Sequence, residues 1–485
     1  MSRKGAAKPN GEPSRRTSAP LHEQLRQVAA LVGRVRRGQS LTEALPQVPA
    51  ELRPGCQALA FHVLRWRGSA QAARSILAPR PPPAAVDDLL TCALSLLWPT
   101  PSPGPAYAEH TLVDETVRCA QAIAPRSAGF VNAVLRQFLR RRNELVEAAQ
   151  ASDEARWNHP DWWMRRLRRD WPEAAEGILQ AAQTHPPMVL RAARRHGGLQ
   201  ALTPNLDAAG LAWQAVPPPG GQPRGAAIDD VKAQASPGQP APPWDAVALN
   251  PPVPVQAIPG FDQGHWSVQD AAAQMAAPLL LSGFGPLDAV KRPLRVLDAC
   301  SAPGGKTAHL LDLAPPQALD LLALDADPQR LQRVDQTLRR LGLSAQLKAA
   351  DARDVDRWWD GHAFDAVLLD APCSASGIVR RHPDARWLKR DGDIAALAKV
   401  QAELLDALWP LVRPGGRLLY ATCSVFKAEG SEQIDAFLQR HGLTPQVIDP
   451  LSPGHLLPLP DNADDPSAAP FTSADGFFYA LLIKP

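Results

Sequence analysis

Two cysteines stand where a chain can put a thiol to use. Asp370-Ala-Pro-Cys-Ser-Ala-Ser-Gly377 follows the apolar run Ala366 to Leu369, and Thr422-Cys-Ser424 follows Arg417 to Ala421. Each run reads as a buried strand, so Cys373 and Cys423 fall at consecutive strand ends with the carboxyl of Asp370 beside them. A thiolate is a nucleophile that can form a covalent intermediate, and a nearby acid can steady the charge that develops as it adds. One cysteine behind one strand is most often a small hydrophobe that fills space. Two of them beside an acid make a catalytic cavity the better account.

A glycine turn lies at another strand end. Asp298-Ala-Cys-Ser-Ala-Pro-Gly-Gly-Lys-Thr307 separates the apolar run Leu294 to Leu297 from the helical pattern Ala308 to Leu313. Strand, glycine turn and helix make a nucleotide cradle, because the backbone comes close to a ligand only where side chains are missing, and the first N–H groups of the helix face it. Gly304 and Gly305 are therefore expected as backbone contacts. The turn is not a phosphate-binding P-loop, since Cys300 occupies the position where that loop needs its first glycine. It lacks the three spaced glycines of the dinucleotide fingerprint as well. Asp325, however, ends a second strand-like run, Leu319 to Leu324, where a ribose-binding acid belongs. A ribose without a triphosphate cradle suits S-adenosylmethionine. Given a sulfonium methyl donor, the thiols acquire a purpose: carbon 5 of a pyrimidine is too weak a nucleophile until a thiolate adds at carbon 6 and makes carbon 5 enamine-like.

The elements that hold these residues follow from the rest of the chain. Its 485 residues, 45% of them hydrophobic, exceed one ordinary core and imply two or three domains. The net charge is only +3, but arginines cluster, so local patches matter more than the total. No run reaches the ~20 apolar residues a membrane helix needs, and the basic N-terminus lacks the apolar core of a secretory signal, which makes a cytoplasmic protein without membrane attachment the expectation. The six cysteines contain no CxxC pair. They suggest reduced thiols, with neither a metal site nor a disulfide framework.

Residues 1–20 are basic and nearly devoid of apolar side chains, the composition of a disordered tail. From 21 to 150 the apolar residues recur at helical spacing, giving an all-helical domain whose last helix, Gly129 to Arg142, turns Val131, Val134, Leu135 and Phe138 inward. Arg136, Arg140 and Arg141 face outward and could grip phosphates. Residues 151–265 read as a small α/β connecting domain with a Pro/Gly-rich insertion at 217–243. Its first helix, Asp161 to Arg169, sets Arg165 and Arg168 toward solvent or RNA and Trp162, Met164 and Leu167 toward the core. Residues 266–485 alternate strand and helix, the pattern of a mostly parallel sheet covered on both faces, with Gly476 to Ile483 as an antiparallel edge. Ala271 to Leu281 reads as one helix beside the cofactor turn. Ligands of such sheets bind beyond the carboxyl ends of the strands, where Asp298, Asp325, Asp351, Asp370 and Cys423 fall.

As a set, the glycine turn, Asp370-Ala-Pro-Cys373 and Thr422-Cys-Ser424 resemble the motifs of RNA cytosine-C5 methyltransferases of the Nol/Nop/Sun group. Gly129-Phe-Val-Asn-Ala-Val-Leu-Arg136 resembles an antiterminator-type, NusB-like helical domain. Trp266-Ser-Val-Gln-Asp270, Arg380-Arg-His-Pro-Asp384 and Asp475-Gly-Phe-Phe-Tyr479 resemble the bacterial branch that acts on small-subunit ribosomal RNA. The resemblance implies a Rossmann-like class I methyltransferase domain with a seven-stranded sheet. It further implies that Cys300, Ser301, Ala302, Pro303, Gly304, Gly305 and Lys306 hold the methionine part of the cofactor, Asp325 its ribose and Asp351 its adenine end, with Asp370 between cofactor and cytosine. In the family the later thiol, here Cys423, is the nucleophile, and Cys373 assists its release from the product. Sequence chemistry alone leaves the choice between the two thiols open. Arg380, Arg381 and His382 are expected to border the RNA. One departure stands out: the family's Pro-x-Glu-Asn is Lys427-Ala-Glu-Gly430 here.

These residues make the leading expectation an enzyme, a monomer that methylates carbon 5 of one cytosine in 16S ribosomal RNA, naked or in an early assembly intermediate. A competing reading is an RNA-binding or transcription-associated factor with a vestigial sheet; intact Cys423, Cys373, Asp370 and Lys306 oppose it. A third keeps the chemistry and changes the substrate to transfer RNA or another ribosomal site.

Overall fold

The computed structural model describes residues 19–100, 107–219, 244–459 and 474–485. The basic tail lies outside them apart from its last two residues, and so does all but the first three residues of the Pro/Gly-rich insertion. The chain forms two compact units, Met1–Arg156 and Trp157–Pro485.

The first unit is all-helical, as its periodicity predicts. Leu25, Val28 and Leu31 of the helix Leu21–Arg36 are at most 1% exposed. The helix Ala84–Leu97 is buried nearly all round and forms the centre of the unit. Ala128–Arg140 buries Val131, Val134, Leu135 and Phe138 and leaves Arg136 and Arg140 outside, after which Arg142–Gln150 starts a separate helix.

The second unit holds two sheets. β1 (Met188–Ala192), β2 (Trp213–Ala215), β3 (Ala246–Leu249) and β4 (Trp266–Val268) form an antiparallel sheet in the order β2-β3-β1-β4. The sequence reading assigned Trp266 onward to the next domain; instead β4 completes this small sheet, with Trp266 fully buried beneath it. β5 (Leu294–Asp298), β6 (Leu319–Asp325), β7 (Gln346–Ala349), β8 (Phe364–Asp370), β9 (Val412–Thr422), β10 (Gly454–Leu456) and β11 (Phe477–Ile483) form the second sheet, ordered β10-β11-β9-β8-β5-β6-β7. β7, β6, β5, β8 and β9 run parallel; β11 is antiparallel to β9, and β10 is antiparallel to β11. β11 is thus antiparallel as expected but interior, because the three-residue β10 takes the edge. A strand that short carries too little alternation to be visible in sequence.

Chain order reverses between β5 and β8, so the crevice of this doubly wound sheet opens above their carboxyl ends. Asp298, Asp325 and Asp370 are the last residues of β5, β6 and β8, and Cys423 directly follows β9. Ala271–Leu281, expected as one helix, starts as a 3-10 turn at Ala272–Met275 and becomes α-helical only at Ala276–Leu281, where every residue is buried.

A smaller apolar cluster supports the segment after Cys423. Trp163, Met164 and Leu167 of the helix Asp161–Asp170 pack with Ile178 and Leu179 against Val425 and Phe426. Trp163 is the buried member, 1% exposed, whereas Trp162 is only half-buried. The Trp163 ring meets Phe426 edge-on at 5.1 Å. Trp163→Ala should lower unfolding stability by about 3–5 kcal/mol through lost contacts and the cavity left behind; urea titration of the full chain measures it.

Candidate active site

The cofactor turn is rigid for reasons of shape. Gly304 has φ +97°, and a Cβ there would come within 3.1 Å of the Val334 backbone. The helix Gly305–Leu313 begins at once, with its free N–H groups toward the crevice. Asp325 braces the turn from β6: its carboxylate accepts the Ala302 N–H at 3.2 Å and the Asp327 N–H at 3.0 Å. Thr337 Oγ1 donates to the Pro303 carbonyl at 3.0 Å.

Beneath the turn, Asp298 is fully buried. Thr307 donates to its Oδ2 at 2.6 Å, while its Oδ1 and the buried Ser301 hydroxyl have no hydrogen-bond partner among the described residues. Burial pushes the Asp298 carboxyl up to about 7. Cys300 is driven further up, by burial and then by the Asp298, Asp370 and Asp325 carboxylates, which favours its thiol form. Asp351, beyond β7, is held low by a bidentate pair with Arg353. A glycine cradle at a helix N-terminus, buried polar atoms awaiting a partner, and acids at successive strand ends fit a nucleoside carrying an amino-acid arm.

The two thiols meet above the neighbouring strands, Cys373 Sγ 3.3 Å from Cys423 Sγ. Cys373 is raised well above the ordinary thiol value by its hydrogen bond to Cys423 and then by burial. Lys306 reaches across from the cofactor turn to Asp370 at 2.6 Å. Burial pulls its ammonium down, but the Asp370 carboxylate overrides that and holds it charged. Turn, acid and thiols thus form one continuous site.

The family model described as 16S rRNA methyltransferase RsmB/F matches residues 288–483, and one for the ferredoxin-like domain of RsmF/B-like methyltransferases matches residues 159–220. Ribosomal RNA small subunit methyltransferase B of Salmonella arizonae is 40% identical over 93% of this chain and 96% of its own. The protein of that name from Pseudomonas syringae pv. tomato is 39% identical, covering 94% of each chain. The chain belongs to the RsmB/F family. It is an RNA methyltransferase. For the fold alone, the crystal structure of PH0851 agrees with a TM-score of 0.65 at 21% identity over 95% of this chain and 99% of that one.

The three short motifs that pointed to the bacterial branch of this family come together in a buried ionic knot. Arg380 is 2% exposed and donates to Asp475 at 2.5 Å; Arg381 pairs with Asp475 as well and with Asp270 at 2.7 Å. Arg380 and Arg381, expected at the RNA border, are therefore turned inward to join Trp266–Asp270, Arg380–Asp384 and Asp475–Tyr479. Burial would raise Asp475, yet the two arginines hold it low, while burial and Asp475 push Asp270 up. His382 alone of the trio is exposed. Arg165 and Arg168 are exposed as expected. In the helical unit Arg136 bonds Asn132 at 2.9 Å and Arg141 pairs with Glu144, while Arg140 is exposed.

Three functional candidates escaped sequence reading. Arg191, the one charge in apolar β1, donates to the Gly305 carbonyl at 3.1 Å and to Gln269 at 2.6 Å, tying the small sheet to the cofactor helix. Its signal was a buried arginine in a strand otherwise apolar. Gln269 sat inside a recognised motif without a role. Glu429, fully buried, lay in the stretch noted only for its departure from the RsmB/F pattern. That departure has a steric reason: a Cβ on Gly430 would sit 2.4 Å from His455, whose Nε2 accepts the Ser431 N–H at 3.3 Å. His455 fills the space an asparagine would need.

Asp475→Ala would remove the carboxylate that the buried Arg380 shares with Arg381, leaving Arg381 with Asp270, and a stability loss of about 3 kcal/mol is expected in urea titrations. The Asp298 carboxyl, near 7 when folded and near 4 when unfolded, binds an extra proton in the folded chain between those values, so stability falls as pH rises through them. Between pH 5 and 8 the wild type should lose on the order of 2 kcal/mol more than Asp298→Asn, read from urea midpoints of both proteins.

Proposed function

We propose that this chain transfers a methyl group from S-adenosylmethionine to carbon 5 of one cytosine of 16S ribosomal RNA, the position numbered 967. The observation that carries the reading is the pair of thiols in contact, 3.3 Å apart, next to the Lys306–Asp370 pair at the cofactor turn. Bound in the crevice, S-adenosylmethionine supplies an electrophilic methyl group. Cys300 to Lys306 would hold its methionine part, Asp325 its ribose and Asp351 its adenine end.

The protein's own groups do the rest. Cys423 as thiolate adds to carbon 6 of the cytosine, and the electron pair displaced toward the ring makes carbon 5 nucleophilic. Asp370, hydrogen-bonded to the Lys306 ammonium at 2.6 Å, relays a proton from it to the ring nitrogen where negative charge develops. After transfer the proton on carbon 5 leaves to a base, the electron pair re-forms the double bond, and Cys423 departs. Cys373, hydrogen-bonded to Cys423, manages the proton of the departing sulfur. The target must leave its stack to reach the thiols, which favours a loop nucleotide on naked RNA or an early assembly intermediate. The helical unit and exposed Arg140, Arg165, Arg168 and His382 would contribute phosphate contacts, giving affinity that falls steeply with salt. A monomer working in the cytoplasm suits this substrate. Among the described residues no helix is long and apolar enough to cross a membrane, and no cluster of His, Cys, Asp and Glu is arranged to hold a metal ion.

Labelled methyl transfer to unmodified 16S RNA, with the modified base mapped, tests the proposal. Label on one cytosine is expected with wild type, none with Cys423→Ala, and a denaturation-resistant protein–RNA adduct with Cys373→Ala. Tight RNA binding with no label on ribosomal or transfer RNA would overturn it in favour of a binding protein.

A further inference from the structure

Each thiol is followed by a serine, and both serines end on one buried carboxylate. Glu429 Oε1 accepts the Ser374 backbone N–H at 2.9 Å and the Gln401 side-chain amide at 3.2 Å. Its Oε2 accepts the hydroxyls of Ser374 at 2.5 Å and Ser424 at 2.7 Å. Gln401 also donates to the carbonyl of Pro372, next to Cys373, at 2.9 Å. Ser376 closes the ring: its hydroxyl lies 2.9 Å from Ser424 Oγ and accepts the Val425 N–H at 2.9 Å.

At Oε1 the partners are a backbone N–H, which cannot reverse, and the Gln401 amide, so this oxygen accepts. At Oε2 the partners are hydroxyls that also lie 3.3 Å from each other, and Ser424 Oγ lies 2.9 Å from Ser376 Oγ, so the hydroxyl protons are shared around the ring. Ser424 Oγ accepts the Phe426 N–H at 3.1 Å and Ser374 Oγ the Ser376 N–H at 3.3 Å, which ties both hydroxyls to the backbone. Four hydrogen bonds thus hold the Glu429 side chain, and among the described residues no cation pairs with it.

We propose that Glu429 is a positioning residue for the two thiols, acting through the serine that follows each and fixing the separation and order in which Cys423 and Cys373 react. This deepens the proposed methyl-transfer reading and rests on it. Of the charged groups around the pair, Lys306 and Asp370 satisfy each other on the cofactor side, so Glu429 is the charge on the opposite side. Its field adds to the contact with Cys423 and to burial in raising the Cys373 thiol. Tyr420 beneath donates its hydroxyl to the Glu429 carbonyl at 2.9 Å and holds the segment down.

Glu429→Gln has the same shape, but its NH2 can face the serine hydroxyls only if both turn their protons away, so the bonds that hold the two serines must rearrange. In the full chain, kcat for methyl transfer should fall about 10- to 100-fold while the KM values for RNA and S-adenosylmethionine stay within about threefold, as expected when reacting atoms shift but binding surfaces do not. Iodoacetamide alkylation, followed by peptide mass spectrometry without RNA or cofactor, reads the thiols directly: wild type should label Cys423 ahead of Cys373, and the variant should narrow that preference at least about fivefold. Should Glu429→Gln not fold, Ser374→Ala, which keeps the carboxylate and the Ser424 arm, should move kcat and the labelling preference in the same direction by a smaller factor. Folded variants with kcat and labelling preference both within twofold of wild type would overturn the proposal. The alkylation arm needs no substrate, so a wild type that labels Cys423 first but transfers no methyl group would sink the methyl-transfer reading, not the positioning role.

Discussion

The site depends on the parallel register of β8 and β9. Asp370 lies opposite Ala421, which places Cys373 and Cys423 on loops leaving adjacent strands at one level. The side-chain period of two locks that register. Val367, Leu369, Leu418 and Tyr420 pack into the core on one face, and Ala366, Leu368, Leu419 and Ala421 into the core on the other. A slip of β9 by one residue would put Leu418 and Tyr420 on the face packed for Leu419 and Ala421 and carry one thiol away from its partner. Hydrophobic packing on both faces thus sets a sulfur–sulfur distance that neither loop could set alone.

Buried charge does the complementary work of deciding which segments may meet. Asp365 at the foot of β8 binds Arg292 and Arg413 at 2.7 and 2.5 Å; Asp475 binds Arg380 and Arg381; Asp370 binds Lys306. Such pairs add little net stability over apolar residues of equal size, but an arrangement that leaves one partner buried alone is costly. In each case the partners come from segments distant in sequence. Apolar packing holds the layers together, and the ionic contacts make other docking arrangements of the same layers unfavourable.

Much of this was legible in the residues. The helical unit, the alternating strand and helix, the glycine turn and the two thiols all carry signals confined to one segment: a period, a missing side chain, a motif at a strand end. What escaped was relational. Arg380 and Arg381 read as a solvated basic pair because nothing near them in sequence announces Asp475 or Asp270. Trp266 looked like the start of a domain because a three-residue strand has no period to show. Glu429 carries four hydrogen bonds from three segments, and a lone glutamate in a polar stretch reveals none of them. Gly430 stands in sequence only as a departure from the family's asparagine; that His455 occupies the volume shows only in the fold.

β11 has a consequence for how the protein comes into being. Thr422, next to Cys423, pairs with Phe478, so β9 gains its outer neighbour only from a segment made long after it. Until that segment has left the ribosome, β9 is an open, apolar edge strand of the sort that recruits other chains. Contacts this distant in sequence also form slowly. The thiol pocket is therefore among the last parts of the molecule that can be completed, and a chain truncated before Phe477 would leave β9 as a sticky edge rather than merely lack a strand.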